Sequence, residues 1–356
     1  MLIENVISPR SIAYIATQDR ANEIPFLGLQ WFPTAKKAGI DLQWIKSHKG
    51  VSPSLAPSNY DALPVIRSRQ GLQIEKTEMP FFRESIPVTE RDLIEIQRAA
   101  DSTDQYLASA IRNIYDDTTP LLESADVVAE RMRMQLFAAN GGHPSISIAA
   151  NNQNYTYNYD PDNSYATNNY LALSGTSQWS DTTNSTPLSD LAEAKRKQAA
   201  RGYNVRYVLM TTTTFGYLRA SAEVKAVLLS TNAAGTIFIT DELVRKVVRD
   251  TTGLDIVIYD KTFTNVQGNT ENYYPDKVVT LLPAEALGRT WYGQTPAERS
   301  IGVVTNAKTE IVNPGVAVTT EAKIESGVYS FLTTVSEIVL PSYERMDATY
   351  VIKVAS

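Results

Sequence analysis

Between Pro120 and Asn140, Leu121, Ala125, Val128 and Met132 stand at i, i+4, i+7 and i+11. That spacing puts them on one face of a helix. The helical pattern begins near Thr103 and stops at Gly141, in "AANGG", because glycine takes the left-handed conformation that ends a helix. The stretch from Pro120 onward predicts a rod of about 30 Å. Pro120 either begins that helix or kinks it. Upstream, Thr89 reads as an N-cap with Asp92 three residues on. Downstream, "SISIA" (145–149) and "YTYNY" (155–159) alternate as strands joined by "NNQN". Residues 160–187 are polar and read as a long loop or lobe boundary. From Ser189 the period switches repeatedly. "DLAEAKRKQAAR" is helical and stops at Gly202, and "VRYVLM" is a buried strand. "TTFGYLRASAEVKAVLL" is largely helical, and "DELVRKVVRD" is a helix ended by Gly253. "LDIVIYD" and "KVVTLLP" are strands flanking the turn-rich "NVQGNTENYYPD". This mixture predicts a compact α+β lobe over 188–295. The remainder, "AVTTEAKI", "VYSFLTTVSEIVL" and "ATYVIKVA", reads as β.

The first fifty residues behave differently. Pro9, Pro25 and Pro33 interrupt short apolar clusters such as "PFLGLQWF", and no period lasts. This predicts an extended arm that docks on something, with one strand at "GIDLQWIK" (39–46). A Pro/Ser-rich lead follows, and then "DALPVIRSRQGLQIEKTEMPFF" (61–82). Its two halves alternate, and Gly71 sits where a tight turn belongs. It also carries Arg67, Arg69, Glu75, Lys76 and Glu78 between Pro64 and Pro80. A lone two-stranded ribbon is marginal in water, so this one needs a surface to lean on.

Composition narrows the classes. A chain of 356 residues exceeds the usual single core and predicts two lobes. Hydrophobic content of 43% and charged content of 20% are those of a folded protein. A net charge of -6 weighs against a protein that coats nucleic acid. With no cysteine, disulfides and thiolate metal sites are excluded. "MLIENVISPRSIAYIATQDR" lacks a basic leading region and reads as no signal peptide. No window approaches the ~18 apolar residues of a membrane helix, so the sequons at Asn154 and Asn184 read as chance matches.

Chemistry-bearing clusters are few. The two histidines, His48 and His143, read as loop or capping residues, since zinc needs three or four ligands. "DPDNS" (160–164) opens like a calcium loop but lacks glycine at loop position six and has Leu171 at position twelve. It reads as a polar turn. Asp116 and Asp117 are adjacent, so a helix points them about 100° apart. "EAKRKQAAR" (193–201) reads as a solvated helix face, with a weak phosphate contact as the sharper alternative. Phosphate-cradle and nucleophile-elbow motifs are absent. That disfavours enzymes only mildly, because glycosidase carboxylates leave no short motif. No catalytic residue, metal or cofactor is expected.

Four strings in order carry a resemblance: "PVIRSRQG", "SGTSQWS", "GYNVRYVLMTTTTFGYLRASAEVKAVL" and "NYYPDKVVTLLPAEALGRTWYG". From about residue 30 onward the chain resembles the lambda-type major capsid proteins of tailed phages, the major capsid protein E family. The resemblance implies an α+β fold of the Hong Kong 97 type. It implies an N-terminal arm (1–46), an E-loop (47–85), a P-domain with the spine helix (86–187, with return strands 296–340), and an A-domain (188–295, with the terminal strand 341–356).

It further implies a structural, non-enzymatic subunit that assembles as hexamers and pentamers into an icosahedral shell. That shell encloses double-stranded DNA without sequence-specific binding or membrane association. The ribbon then leans on a neighbouring copy. The contact residues expected there are Val65, Ile66, Arg67, Arg69, Gly71, Leu72, Ile74, Glu75, Lys76, Glu78, Phe81 and Phe82. The charges supply register more than energy. Portal, scaffold and protease are implied as assembly partners in a host cytoplasm, and a decoration protein at three-fold sites is compatible with it. Some relatives of the fold weld subunits by a Lys–Asn isopeptide bond; the lambda-type resemblance implies none at Lys76. An encapsulin-like compartment is the alternative within the fold. A polysaccharide-active hydrolase or sugar-binding module, using the Tyr/Asn-rich 151–170, is the alternative outside it.

Overall fold

A computed structural model describes residues 25–46, 73–91, 94, 106–150, 153–231, 239–301, 307–312, 314–325 and 328–356. The described chain opens with a 3-10 turn, Leu27–Gln30, and strand β1 (Thr34–Lys36). Strand β2 (Asp41–Lys46) lies where the alternation of 39–46 predicts it, and β3 (Gln73–Glu78) pairs with it. Strand β4 (Phe81–Val88) follows directly. Helix α1 (Tyr106–Ala138) spans 33 residues, about 50 Å. It passes through Pro120 without ending there. Of the predicted face, Leu121, Ala125 and Met132 are buried and Val128 is half-buried. The left-handed turn comes at Ala139 (φ 43°), two residues before Gly141 (φ 64°).

Hairpin β5 (Ser145–Ala150) and β6 (Gln153–Asn158) sets Ile146 opposite Tyr157 and Ile148 opposite Tyr155. The segment read as a loop holds a short helix, α2 (Ser164–Asn168), and strand β7 (Tyr170–Ala172). Neither is long enough to show a period. Then come α3 (Pro187–Ala200), β8 (Val205–Met210), α4 (Thr212–Ala220) and α5 (Ala222–Thr231). The single helical pattern over 213–229 thus breaks at Ser221, where the backbone turns extended (ψ 139°). Next are α6 (Asp241–Thr252), β9 (Asp255–Ile258), β10 (Thr262–Thr264), β11 (Thr270–Asn272), β12 (Val278–Pro283) and β13 (Arg289–Tyr292). Helix α7 (Pro296–Arg299), β14 (Ala307–Val312), β15 (Val316–Glu325), β16 (Val328–Ser342) and β17 (Tyr350–Lys353) complete it.

The chain divides into two discontinuous compact units: residues 1–42, 76–132 and 289–342, and residues 43–75, 133–288 and 343–356. In the second unit a mixed sheet runs β7-β17-β12-β8-β9. Its core joins Leu191 and Ala194 of α3, Val208 of β8, Leu218 of α4, Val224 of α5, Val244 and Val248 of α6, and Ile352 of β17. Helix α6 shows how the sequence signals work locally. The Thr240 hydroxyl accepts from the Leu243 N–H at 3.4 Å, and Gly253 (φ 65°) ends the helix. The Lys195 ammonium then donates to the terminal carbonyl of Thr252 at 2.8 Å, where the helix dipole favours a cation.

In the first unit the long strand β16 takes β15 along one edge. Its other edge takes β4, from Val88–Phe331 to Phe81–Ile338, and then β13, from Tyr292–Val339 to Arg289–Ser342. Strand β1 joins β13 in parallel and β14 joins β15. The arm segment is stitched into this same unit. Trp31 and Phe32 are fully buried. The Gly28 N–H donates to Glu130 Oε1 at 2.8 Å, and the Thr290 hydroxyl donates to the Phe32 carbonyl at 3.0 Å. What "PFLGLQWF" docks on is therefore its own chain.

Gly293 follows β13 where three segments of the first unit converge. A Cβ there would lie 2.8 Å from Met79 Cε, 2.8 Å from Ile338 Cγ2 and 2.9 Å from the Gly39 carbonyl oxygen. Side chains can yield to such crowding, but that carbonyl cannot. Gly293→Ala is expected to lower stability by about 1–3 kcal/mol, the usual cost of overpacking. Chemical denaturation of the unassembled chain, followed through the tryptophan fluorescence, checks this.

Candidate functional site

The residues expected to make contacts fall into three groups. Val65, Ile66, Arg67, Arg69, Gly71 and Leu72 lie outside the described residues, as does His48. Ile74, Glu75, Lys76 and Glu78 lie on β3, whose partner is β2. The described half of that ribbon pairs with 41–46, and the partner expected for it across Gly71, 61–70, lies outside the described residues. Lys76 and Glu78 are exposed, and Lys76 Nζ stands 3.8 Å from Asp41 Oδ2 across the two strands. Phe81 and Phe82 belong to β4, half-buried opposite Ile338 and Glu337 of the same chain. Those two aromatics are committed first to the fold.

The root of this ribbon stem has its own geometry. The Trp44 ring stacks on Tyr159, with centroids 5.4 Å apart, and Tyr159 meets Tyr343 edge-on at 6.4 Å. Burial pushes the Tyr159 phenol well above its ordinary range, so it acts as a neutral platform. Two residues beyond Trp44, Lys46 is 3% exposed, and its ammonium lies 3.9 Å from Asp162 Oδ1.

The "DPDNS" turn resolves into a helix cap. Asp160 is fully buried. Its Oδ1 accepts the Tyr165 N–H at 2.9 Å, and its Oδ2 accepts the Ala166 N–H at 3.1 Å. His143 Nδ1 stands 3.1 Å from the same Oδ2. The Ser164 hydroxyl reaches Asp162 Oδ1 at 3.0 Å. The carboxylates are already engaged by N–H, O–H and ammonium groups, and among the described residues no cluster of three His, Cys, Asp or Glu could hold a metal. The tyrosines that suited a sugar platform include two buried ones, Tyr159 and Tyr165. The basic run on α3 is also employed internally: Lys195 caps α6, Lys197 pairs with Glu193 at 3.0 Å, and Arg201 donates to Asn169 Oδ1 at 2.6 Å. No helix among the described residues is long and apolar enough to cross a membrane.

One sheet face of the first unit carries an unusual row. Thr309, Thr319, Thr334 and Ser85 lie directly opposite one another on β14, β15, β16 and β4. Thr309 and Thr319 share a hydrogen bond of 3.0 Å, and Ser85 and Thr334 one of 2.8 Å. Ser85 is exposed and the threonines are half-buried. Among the described residues, the exposed large apolar side chains are Leu29, Ile40, Ile94, Leu229, Val266 and Ile301. Val266 sits on the turn between β10 and β11. That turn is closed by Asn265 Oδ1, which accepts the N–H groups of Gln267 at 3.0 Å and Asn269 at 2.9 Å.

Two of the strings that carry the resemblance are structural joints, while "PVIRSRQG" lies outside the described residues. In "SGTSQWS", Trp179 is fully buried and its indole N–H donates to Asp190 Oδ2 at 2.9 Å. In "NYYPD", the Thr211 hydroxyl donates to Asp276, and the Lys277 N–H donates to Thr214 Oγ1 at 2.9 Å. In "WYG", Gly293 is the close-packed position described above.

Comparison with known proteins agrees with that reading. Residues 16–325 match the family described as phage major capsid protein E. No curated protein matches the chain. Among solved structures, the chain is similar to a putative capsid protein of a prophage of E. coli CFT073, with 11% identity, 97% and 98% of the two chains covered and a TM-score of 0.60. It is also similar to a phage-related protein from Bordetella bronchiseptica RB50, with 14% identity, 98% of both chains covered and a TM-score of 0.55. A third likeness is to the capsid asymmetric unit of cyanophage A-1(L), with 12% identity, 94% of both chains covered and a TM-score of 0.52. The chain belongs to the phage major capsid protein E family and has the α+β, Hong Kong 97-type capsid fold.

Proposed function

We propose that this structural capsid subunit assembles as hexamers and pentamers into the icosahedral head of a tailed phage, enclosing packaged double-stranded DNA. The observation that carries the reading is the family match over residues 16–325. Its physical support is a chain whose ribbon stem, β2 and β3, forms a separate two-stranded sheet among the described residues. Such a sheet is marginal alone, and another copy of the chain is the natural support. Many such overlaps reinforce one another, because each contact made renders the next intramolecular. A net charge of -6 suits a container that must release a polyanion.

In this reading residues 1–46 form the arm and 47–85 the E-loop. The P-domain is built on 86–187 and 296–340, and the A-domain on 188–295 and 341–356. The compact units group 133–187 with the A-domain elements, since β7 adds in parallel to β17. Val65, Ile66, Arg67, Arg69, Gly71, Leu72, Ile74, Glu75, Lys76 and Glu78 supply contacts to a neighbour, while Phe81 and Phe82 contribute from their places in the sheet. A portal, a scaffold and a protease take part during assembly in the host cytoplasm, a decoration protein fits the three-fold sites, and the finished subunit resides in the virion.

Electron micrographs of the purified full-length chain should show closed shells of uniform diameter. A monodisperse single-copy species under every ionic condition would sink the shell reading. Replacing residues 50–70 with a short Gly/Ser linker leaves β3 and the buried Met79 in place. That variant is expected to keep the melting transition of the unassembled subunit and to lose closed shells altogether. Normal shells from it would remove the ribbon's role while leaving the family assignment intact.

A further inference from the structure

Strand β2 alternates, so Trp44 and Lys46 point the same way. Trp44 uses that direction well: its ring stacks on buried Tyr159 at 5.4 Å, with 30° between the planes. Offset stacking of this kind is favourable beyond the area it buries. Lys46 uses it badly. Its side chain is 3% exposed, and Asp162 Oδ1 at 3.9 Å is too far for a hydrogen bond. Among the described residues its ammonium finds no hydrogen-bond acceptor. Asp162 is itself half exposed and is shared with the Ser164 hydroxyl. One contact at the strand's root therefore holds it against the 159–164 turn, and the next, two residues on, works against that docking.

We propose that this opposed pair is a poised latch: the outer end of β2 exchanges between a docked and a released state, Trp44 favouring the first and the buried Lys46 the second. The purpose of the latch rests on the shell reading, in which one sequence meets neighbours in non-equivalent positions and its ribbon must leave the body at more than one angle. The latch itself is a property of the single subunit. A stem held by aromatic stacking alone would be fixed, and one without the stack would not be held. The combination lets a neighbour's contact decide.

The test is hydrogen exchange of the residue 43–46 amides in the full-length, unassembled subunit, read by mass spectrometry, with the melting temperature followed in parallel. Lys46→Met keeps the length of the side chain and removes the ammonium that lacks a hydrogen-bond acceptor, so exchange is expected to slow about tenfold, the worth of roughly one unsatisfied buried group. Trp44→Ala is expected to speed exchange by a similar factor. Asp162→Asn, an exposed change that leaves the fold intact, is expected to speed it too, by withdrawing the counter-charge. If Lys46→Met exchanges at the wild-type rate or faster, Lys46 is an ordinary support and the latch is overturned. If Asp162→Asn slows exchange, the proposal fails independently of whether Lys46→Met folds. Since the measurement needs no particle, its failure is distinct from failure of the shell reading, which micrographs decide.

Discussion

A β-strand has two edges, and in the first unit everything follows from how β16 fills them. Its fifteen residues are long enough to carry two partners in succession on one side, β4 and then β13, while β15 occupies the other. Because β4 comes from residues 81–88 and β13 from 289–292, this single strand collects segments two hundred residues apart. The arm joins through β1 on the far side of β13. Trp31 and Phe32, just before that strand, are fully buried in the same unit. Register is fixed by the same pairing, since slipping β4 by one residue would turn Val88 and Ile86 to the opposite face.

The second unit meets the same problem of discontinuity with side chains. Thr349, just before β17, is the meeting point. The Asn169 amide donates to the carbonyls of Asp347 at 2.8 Å and Thr349 at 2.6 Å. The Gln198 amide donates to the Thr349 carbonyl at 2.8 Å. The phenols of Tyr165 and Tyr343 bond its hydroxyl at 2.9 and 3.0 Å. Burial raises both phenols well above their ordinary range, so they act only as neutral hydrogen-bonding groups. These hydrogen bonds tie the turn before β17 to α3 and to residues 165–169.

Much of this was legible in the sequence, and the exceptions have physical reasons. Leu121, Ala125 and Met132 announce α1 because a long helix repeats its period often enough to be counted. Gly253 announces the end of α6 because caps are local. Strand β7 and helix α2 were invisible, since three and five residues are shorter than any useful period and their partners lie in β17 and in the Asp160 cap. The docking of "PFLGLQWF" could be sensed, but its target could not, because Thr290 and Glu130 are distant in sequence. The ribbon was legible only in part for a related reason. Alternation shows that a segment is extended but not which strand it meets, and nothing within 73–78 points to its pairing with 41–46. A lysine at the inward-facing position 46 was the available clue to the strand's root. It was missed because that face is defined only once Trp44 is seen against Tyr159.

The row of hydroxyls across β14, β15, β16 and β4 has a bearing on what happens to a newly made copy. A broad sheet face lined with leucine or valine would seize any similar face it met, in any orientation. Here the row presents short side chains that hydrogen-bond in pairs, 3.0 Å between Thr309 and Thr319 and 2.8 Å between Ser85 and Thr334. Such a face has little appetite for indiscriminate adhesion.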